Sequence, residues 1–122
     1  MVRFIIAENI VARGDPQLLK IALNNLFSNA WKFTSKNQKA IIEFGVIGEK
    51  TESIHFIRDN GCGFDMAHVE KIFKPFGRLH PADEYPGTGI GLATVFRIIH
   101  RHQGRIWAES AAGQGTTFFF TL

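Results

Sequence analysis

One cysteine in 122 residues, Cys62, rules out an internal disulfide framework and fits a reducing compartment, which gives a cytoplasmic expectation. No apolar run is long enough for a membrane-spanning helix. Residues 1–7 contain one arginine and a short apolar patch, without the long hydrophobic stretch or cleavage site of a secretory signal. Internal repeats and low-complexity segments are also lacking. Neither sign of charge dominates, because fourteen Lys and Arg stand against eleven Asp and Glu for a net +3. The best cationic cluster, Arg97, His100, Arg101, His102 and Arg105, falls at a helix end, where cations complement the helix dipole. No base-reading motif accompanies it, so nucleic acid is not an expected partner. With 45% apolar and 20% charged residues, what remains is one globular domain over residues 1–122.

Glycine is abundant and clustered. In Gly87-Thr88-Gly89-Ile90-Gly91-Leu92, three alternate glycines each cost backbone entropy and supply no side chain, so the backbone itself is the candidate working surface. Leu92, Val95, Phe96 and Ile99 then follow helical spacing. A glycine loop opening a helix directs free N–H groups at one point, which suits a phosphate. An ordinary flexible loop reads equally well from this stretch alone.

Earlier in the chain, Phe4, Ile5 and Ile6 suggest a short strand and residues 10–12 another. Asp15-Pro16 is a helix start, and Leu19, Ala22, Leu23, Leu26, Phe27 and Ala30 carry one amphipathic helix to about Phe33. Beside its apolar stripe lie Asn25, Asn29, Lys32 and Phe33. Asparagine is a poor helix former, so two of them one turn apart indicate either a solvated edge or an oxygen-donating patch for a cation, followed by an ammonium for phosphate. Residues 40–47 and 54–58 read as strands, with Ile42, Phe44 and Val46 alternating in the first and Ile54 and Phe56 in the second. The second ends in Asp59-Asn60-Gly61-Cys62-Gly63, either a plain turn or a fixed carboxylate beside close-approaching backbone, suited to an amino group on a flat ring. Asp65 is expected to cap a short helix reaching Phe73.

Periodicity stops between Lys74 and Pro86, which reads as a functional lid or a disordered segment, and its running straight into Gly87 to Gly91 favours a lid over a bound ligand. The helix from Gly91 ends near Gly104, and residues 105–109 and 116–122 read as strands around a further glycine pair, Gly113 and Gly115. Trp31 and Trp107 are read as core or rim packing residues. There is no Walker A sequence, and Leu92 occupies the position of the last glycine of a Rossmann fingerprint.

Taken in this order, the motifs over all 122 residues resemble the ATP-binding catalytic domain of bacterial sensor histidine kinases, within the superfamily that includes gyrase, Hsp90 and MutL. The segment from Asn25 to Thr34 is similar to the N box, Asp59 to Gly63 to G1, and Ile72 to Phe76 to the F box. Gly87 to Leu92 is similar to G2, and Gly113 to Thr116 to the last glycine pair. Residues 81–93 look most like kinases with phytochrome or PAS sensors.

The resemblance implies a Bergerat-type α/β two-layer sandwich, with a mixed, mostly antiparallel sheet covered on one face by helices from Pro16, Asp65 and Gly91. It implies ATP and Mg²⁺ as ligands. Asp59 would accept from the adenine amino group, with Gly61 and Gly63 beside it. Asn29, with Asn25 alongside, would hold Mg²⁺, Lys32 would meet the phosphates, and Phe33 would flank the adenine. The backbone of Gly87, Thr88, Gly89, Ile90, Gly91 and Leu92 would receive the triphosphate. Phe73, Phe76 and Arg78 would belong to the lid, and Thr116 to the nucleotide site.

In gyrase-like and Hsp90-like ATPases a glutamate one turn before the Mg²⁺ asparagine activates water. Here that position is Asn25, and an amide cannot take the proton. The implied reaction is therefore γ-phosphoryl transfer to a histidine on a dimerisation domain, and onward to a response regulator receiver domain. The five histidines of this chain, His55, His68, His80, His100 and His102, are poor acceptors, so the acceptor domain is expected to be separate, with no membrane contact from this one. A nucleotide-binding scaffold and a hydrolysing ATPase are the rival readings.

Overall fold

The computed structural model describes residues 2–7, 10, 12–48, 53–69, 71–74 and 91–122. Its elements are β1 (Val2–Ile6), α1 (Pro16–Thr34), β2 (Ala40–Gly48), β3 (Ser53–Asp59), a single 3-10 turn (Met66–His68), α2 (Gly91–Arg101), β4 (Ile106–Ser110) and β5 (Thr116–Phe120). The strands form one sheet in the order β1-β2-β3-β5-β4. Only β1 with β2 is parallel; the other three pairings are antiparallel. This is the expected mixed sheet.

Helix α1 starts where its sequence says it should. The Asp15 carboxylate accepts from the N–H groups of Gln17 and Leu18 at 2.9 and 3.1 Å, satisfying donors that have no intrahelical partner, while Pro16 occupies a position where no N–H is needed. Ala22, Leu26, Ala30 and Thr34, four residues apart, form its buried stripe. Ala22, Leu26 and Ala30 pack with Val95, Ile98 and Ile99 of α2 and with Ile42, Ile57, Phe118 and Phe120 of the sheet. Burying Leu26, 1% exposed, contributes about 2 kcal/mol by area. A second connection ties the two helices. The ring of His102, just past α2, accepts the Asp15 N–H at Nε2 (3.0 Å) while Nδ1 lies 2.8 Å from the Ile98 carbonyl.

Three expectations change. Among the described residues the strand over residues 10–12 finds no support, since Ile10 and Ala12 lie outside any strand and the chain bends at Gly14 into α1. The helix from Asp65 contracts to the 3-10 turn. The Asp65 side chain does cap it, accepting from Ala67, but the bonds that follow, Val69 N–H to Met66 and Lys74 N–H to Lys71, span three residues rather than four. Phe64 and Ile72, both buried, anchor the segment at each end. Among the described residues two α-helices rather than three therefore cover the inner face.

The third change is the phase of β3. Ile54 and Phe56 alternate in the sequence, but the helix-facing set is His55, Ile57 and Asp59, whose partners are Val46, Phe44 and Ile42 on one side and Phe120, Phe118 and Thr116 on the other. Phe56 lies on the opposite face, its ring over Gly45, where an added Cβ would be only 2.7 Å away. It continues there into Phe119 and Trp107, which stack at 5.4 Å. The outward set, Ile54, Phe56 and Arg58, is the more apolar of the two, so sequence alternation alone favours the face that the fold turns away from the helices.

Candidate functional site

The last inward residue of β3 is a carboxylate. Asp59 is 5% exposed, and its Oδ1 accepts the Gly61 N–H at 2.9 Å. Burial pushes its pKa up to about 6, against which the Gly61 and Thr116 N–H groups pull down. A group held this way costs stability whenever it is ionised, so its presence in the inner face asks for a functional reason.

Around Asp59 the turns fit backbone to backbone. A Cβ on Gly61 would lie 2.3 Å from the Phe33 carbonyl oxygen, which itself accepts the Cys62 N–H at 3.1 Å, so the turn after β3 closes directly on the end of α1. Gly115, at φ +87°, approaches the Asp59 carbonyl so closely that a Cβ would be 2.1 Å from it. The Ser110 hydroxyl binds this arrangement together. It receives the Phe64 N–H at 2.9 Å, donates to the Gly115 carbonyl at 2.8 Å and lies 2.9 Å from the Thr116 hydroxyl. Thr116 itself is buried.

Asn25, Asn29, Lys32 and Phe33 lie along α1, all half-buried. Among the described residues the side chains of Asn25, Asn29 and Lys32 make no hydrogen bond or ion pair. The amide of Asn25 meets the start of α2: a Cβ on Gly91 would be in ordinary contact with its Oδ1, at 3.7 Å. The described start of α2 therefore lies beside the asparagine face of α1. Leu92 packs on the core next to it. Phe73 is half-buried, 5.8 Å from the Phe96 ring and 6.2 Å from Phe118. Gly63 is buried against the Ala111 carbonyl.

The structure thus brings together Phe33, Asp59, Gly61, Gly63 and Thr116 at one end of the sheet, and Asn25 with Gly91 between the helices. Phe76, Arg78, Gly87, Thr88, Gly89 and Ile90 lie outside the described residues. Sequence reasoning missed Ser110 and Asn60. Asn60 accepts the Ile41 N–H and donates to the Lys39 carbonyl, fastening the turn to β2. Each is a polar residue at a strand end next to a glycine turn, and only the fold reveals that its partners are remote in sequence.

Residues 14–122 match the model of the histidine kinase-, DNA gyrase B- and HSP90-like ATPases. The chain belongs to that family. It is 45% identical over 112 residues, 92% of its length, to cyanobacterial phytochrome A of Nostoc sp., of which the match covers 14%. It is 39% identical over 99% of its length to the sensor protein kinase WalK of Staphylococcus haemolyticus, covering 20% of that protein. Among solved structures, a nucleotide-free form of the catalytic domain of histidine kinase ThkA superposes with a TM-score of 0.79 at 26% identity, covering 99% of this chain and 79% of that one. The chain therefore has the fold of the histidine kinase catalytic domain, while spanning 14% and 20% of the two curated relatives named. Among the described residues no helix is long and apolar enough to cross a membrane.

Proposed function

We propose that this domain binds Mg-ATP between α1, the Asp59 end of β3 and the start of α2, and delivers the γ-phosphoryl group to a histidine of a separate dimerisation domain. The observation that carries this reading is Asp59. A carboxylate buried at the end of β3, with the Gly61 N–H on its Oδ1, has lone pairs to spare for a further donor, which suits an exocyclic amino group. Phe33, whose carbonyl holds the adjoining turn, supplies an apolar flank for the base.

The residues present fit a hard cation. Asn25 and Asn29 offer half-buried amide oxygens with no other hydrogen-bonding use among the described residues, and a Mg²⁺ that retains waters and phosphate oxygens needs only one or two such donors. When bound, the ion would neutralise charge on the β- and γ-phosphoryl oxygens. Lys32 adds an ammonium one turn along, and the α2 N-terminus presents N–H groups to the phosphates. Asn25 cannot deprotonate water, so the chain's own residues bind and orient the nucleotide but leave the nucleophile to be supplied. An imidazole nitrogen attacking in line is such a nucleophile, and a response regulator receiver domain would take the phosphoryl group onward, in the cytoplasm.

Transfer of label from γ-labelled ATP to a separately supplied dimerisation domain of a relative such as WalK tests the reading. Labelling of the acceptor histidine is expected. Tight Mg-ATP binding with no transfer to any acceptor domain would favour a nucleotide-binding scaffold. Separately, a purine nucleotide lacking the 6-amino group should bind more weakly than ADP; equal affinity would overturn the role of Asp59.

A further inference from the structure

The Ser110 hydroxyl meets three groups at once, and its single proton fixes the direction of each bond. The Phe64 N–H, at 2.9 Å, occupies one of its lone pairs. The Gly115 carbonyl, at 2.8 Å, can only accept, so the Ser110 proton lies on that oxygen. The Thr116 hydroxyl, 2.9 Å from Ser110, is then the donor of its pair. The reverse assignment would leave the Gly115 carbonyl facing an oxygen with no proton between them, in a partly buried place where such a mismatch is costly.

Thr116 stands opposite Asp59 in the β3–β5 register, and its N–H donates to the Asp59 carboxylate. Its hydroxyl makes no other hydrogen bond among the described residues, and the residue is 8% exposed. With its proton held by Ser110, the Thr116 side chain has only lone pairs left to offer, as has the ionised Asp59 carboxylate beside it. We propose, on the nucleotide reading above, that Ser110 is a positioning residue for base selection. By holding the Thr116 proton it keeps the side chains at the Asp59 end of the site acceptors only, so that a 6-amino purine is taken and a 6-oxo purine refused. An amino nitrogen brings N–H donors to these oxygens, whereas a 6-oxo group brings lone pairs and meets repulsion. Ser110 acts through Thr116 without touching the base.

Calorimetric titration of the domain with ADP and with inosine diphosphate, both with Mg²⁺ at about pH 7.5 where Asp59 is mainly ionised, reads the selection as the ratio of two Kd values. The parent should prefer ADP. Ser110→Ala should lower that preference about five- to tenfold, chiefly by tightening inosine diphosphate, because the freed Thr116 hydroxyl can donate to the 6-oxygen. Ser110→Cys, whose sulfur accepts weakly, should give an intermediate ratio and serves in place of alanine if that variant does not fold. Thr116→Val removes the hydroxyl altogether, so adding Ser110→Ala to it should leave the ratio where Thr116→Val sets it. A parallel weakening of both nucleotides, which a merely structural serine would produce, would overturn the role of Ser110 while leaving the nucleotide site standing. So would a ratio unmoved in the Ser110 variants, or a further change in the double variant. A parent that binds neither nucleotide, or both equally, would overturn the site reading and this role together.

Discussion

Replacing Asp59 with asparagine should make the stability of this domain less dependent on pH, and the structure sets the size of the effect. The folded-state pKa of Asp59 is about 6 against an ordinary 3.8, so the folded protein binds the proton more tightly than the unfolded chain. The contribution of Asp59 is therefore most favourable below about pH 3.8 and is lost as pH rises through 6. The difference between those two values corresponds to about 3 kcal/mol. Asparagine never ionises, so the free-energy difference between variant and parent should move by about 2.5 kcal/mol in favour of the variant between pH 4 and pH 7.5, part of the full effect being already spent at pH 4.

The offset of that curve is a separate matter. Asparagine keeps one acceptor oxygen for the Gly61 and Thr116 N–H groups and loses the other, which costs about 1 to 2 kcal/mol at every pH. At pH 7.5 the variant should thus be more stable by about 1 to 2 kcal/mol, or roughly 4 to 8 °C in Tm. Urea denaturation of both proteins across this pH range measures the slope directly. At pH 7.5 the same variant should bind ATP more weakly. A pH-independent stability difference would refute the argument that burial of the charge dominates at Asp59.

His55 should behave in the opposite sense. It is 4% exposed, stacked on Phe120, with Nδ1 lacking a partner among the described residues, and burial lowers its pKa; stability contributed by the neutral ring is therefore lost as pH falls below 6.5 toward the folded-state value. His55→Phe should lessen that acid sensitivity, read as a smaller drop in Tm between pH 7.5 and 5. Ser110→Ala removes the hydroxyl shared by Phe64, Gly115 and Thr116 and should cost about 1 to 3 kcal/mol in urea denaturation, with backbone shifts at those three residues. Asn25→Glu should raise phosphate release from ATP in the absence of any acceptor; a parent rate already as fast would overturn the reasoning from the missing carboxylate.

Local signals account for the elements whose causes are local. Asp15-Pro16 and the four-residue spacing of Ala22, Leu26 and Ala30 specify α1 almost to its last residue, because capping and amphipathicity act within a few residues of chain. The polar face of α1, the acid at the end of β3 and the glycine turns are also legible, as residue types that a core would not choose. Where the sequence misleads, its apolar pattern points to an arrangement that the fold does not adopt. Phe56 and Ile57 both look like core, and residues 66–73 carry enough apolar residues to suggest a helix that the fold does not make.

By itself, then, the sequence determined the family of elements, the mixed sheet and the side chains available for chemistry. Tertiary structure alone decided which face of β3 turns inward, and with it that Asp59 is buried and its pKa raised. It also decided that Ser110 and His102 find their partners through strands and helices far away in the chain. The physical reason is that desolvation and backbone-to-backbone fit, such as Gly61 on Phe33 or Gly115 on Asp59, exist only once remote segments meet.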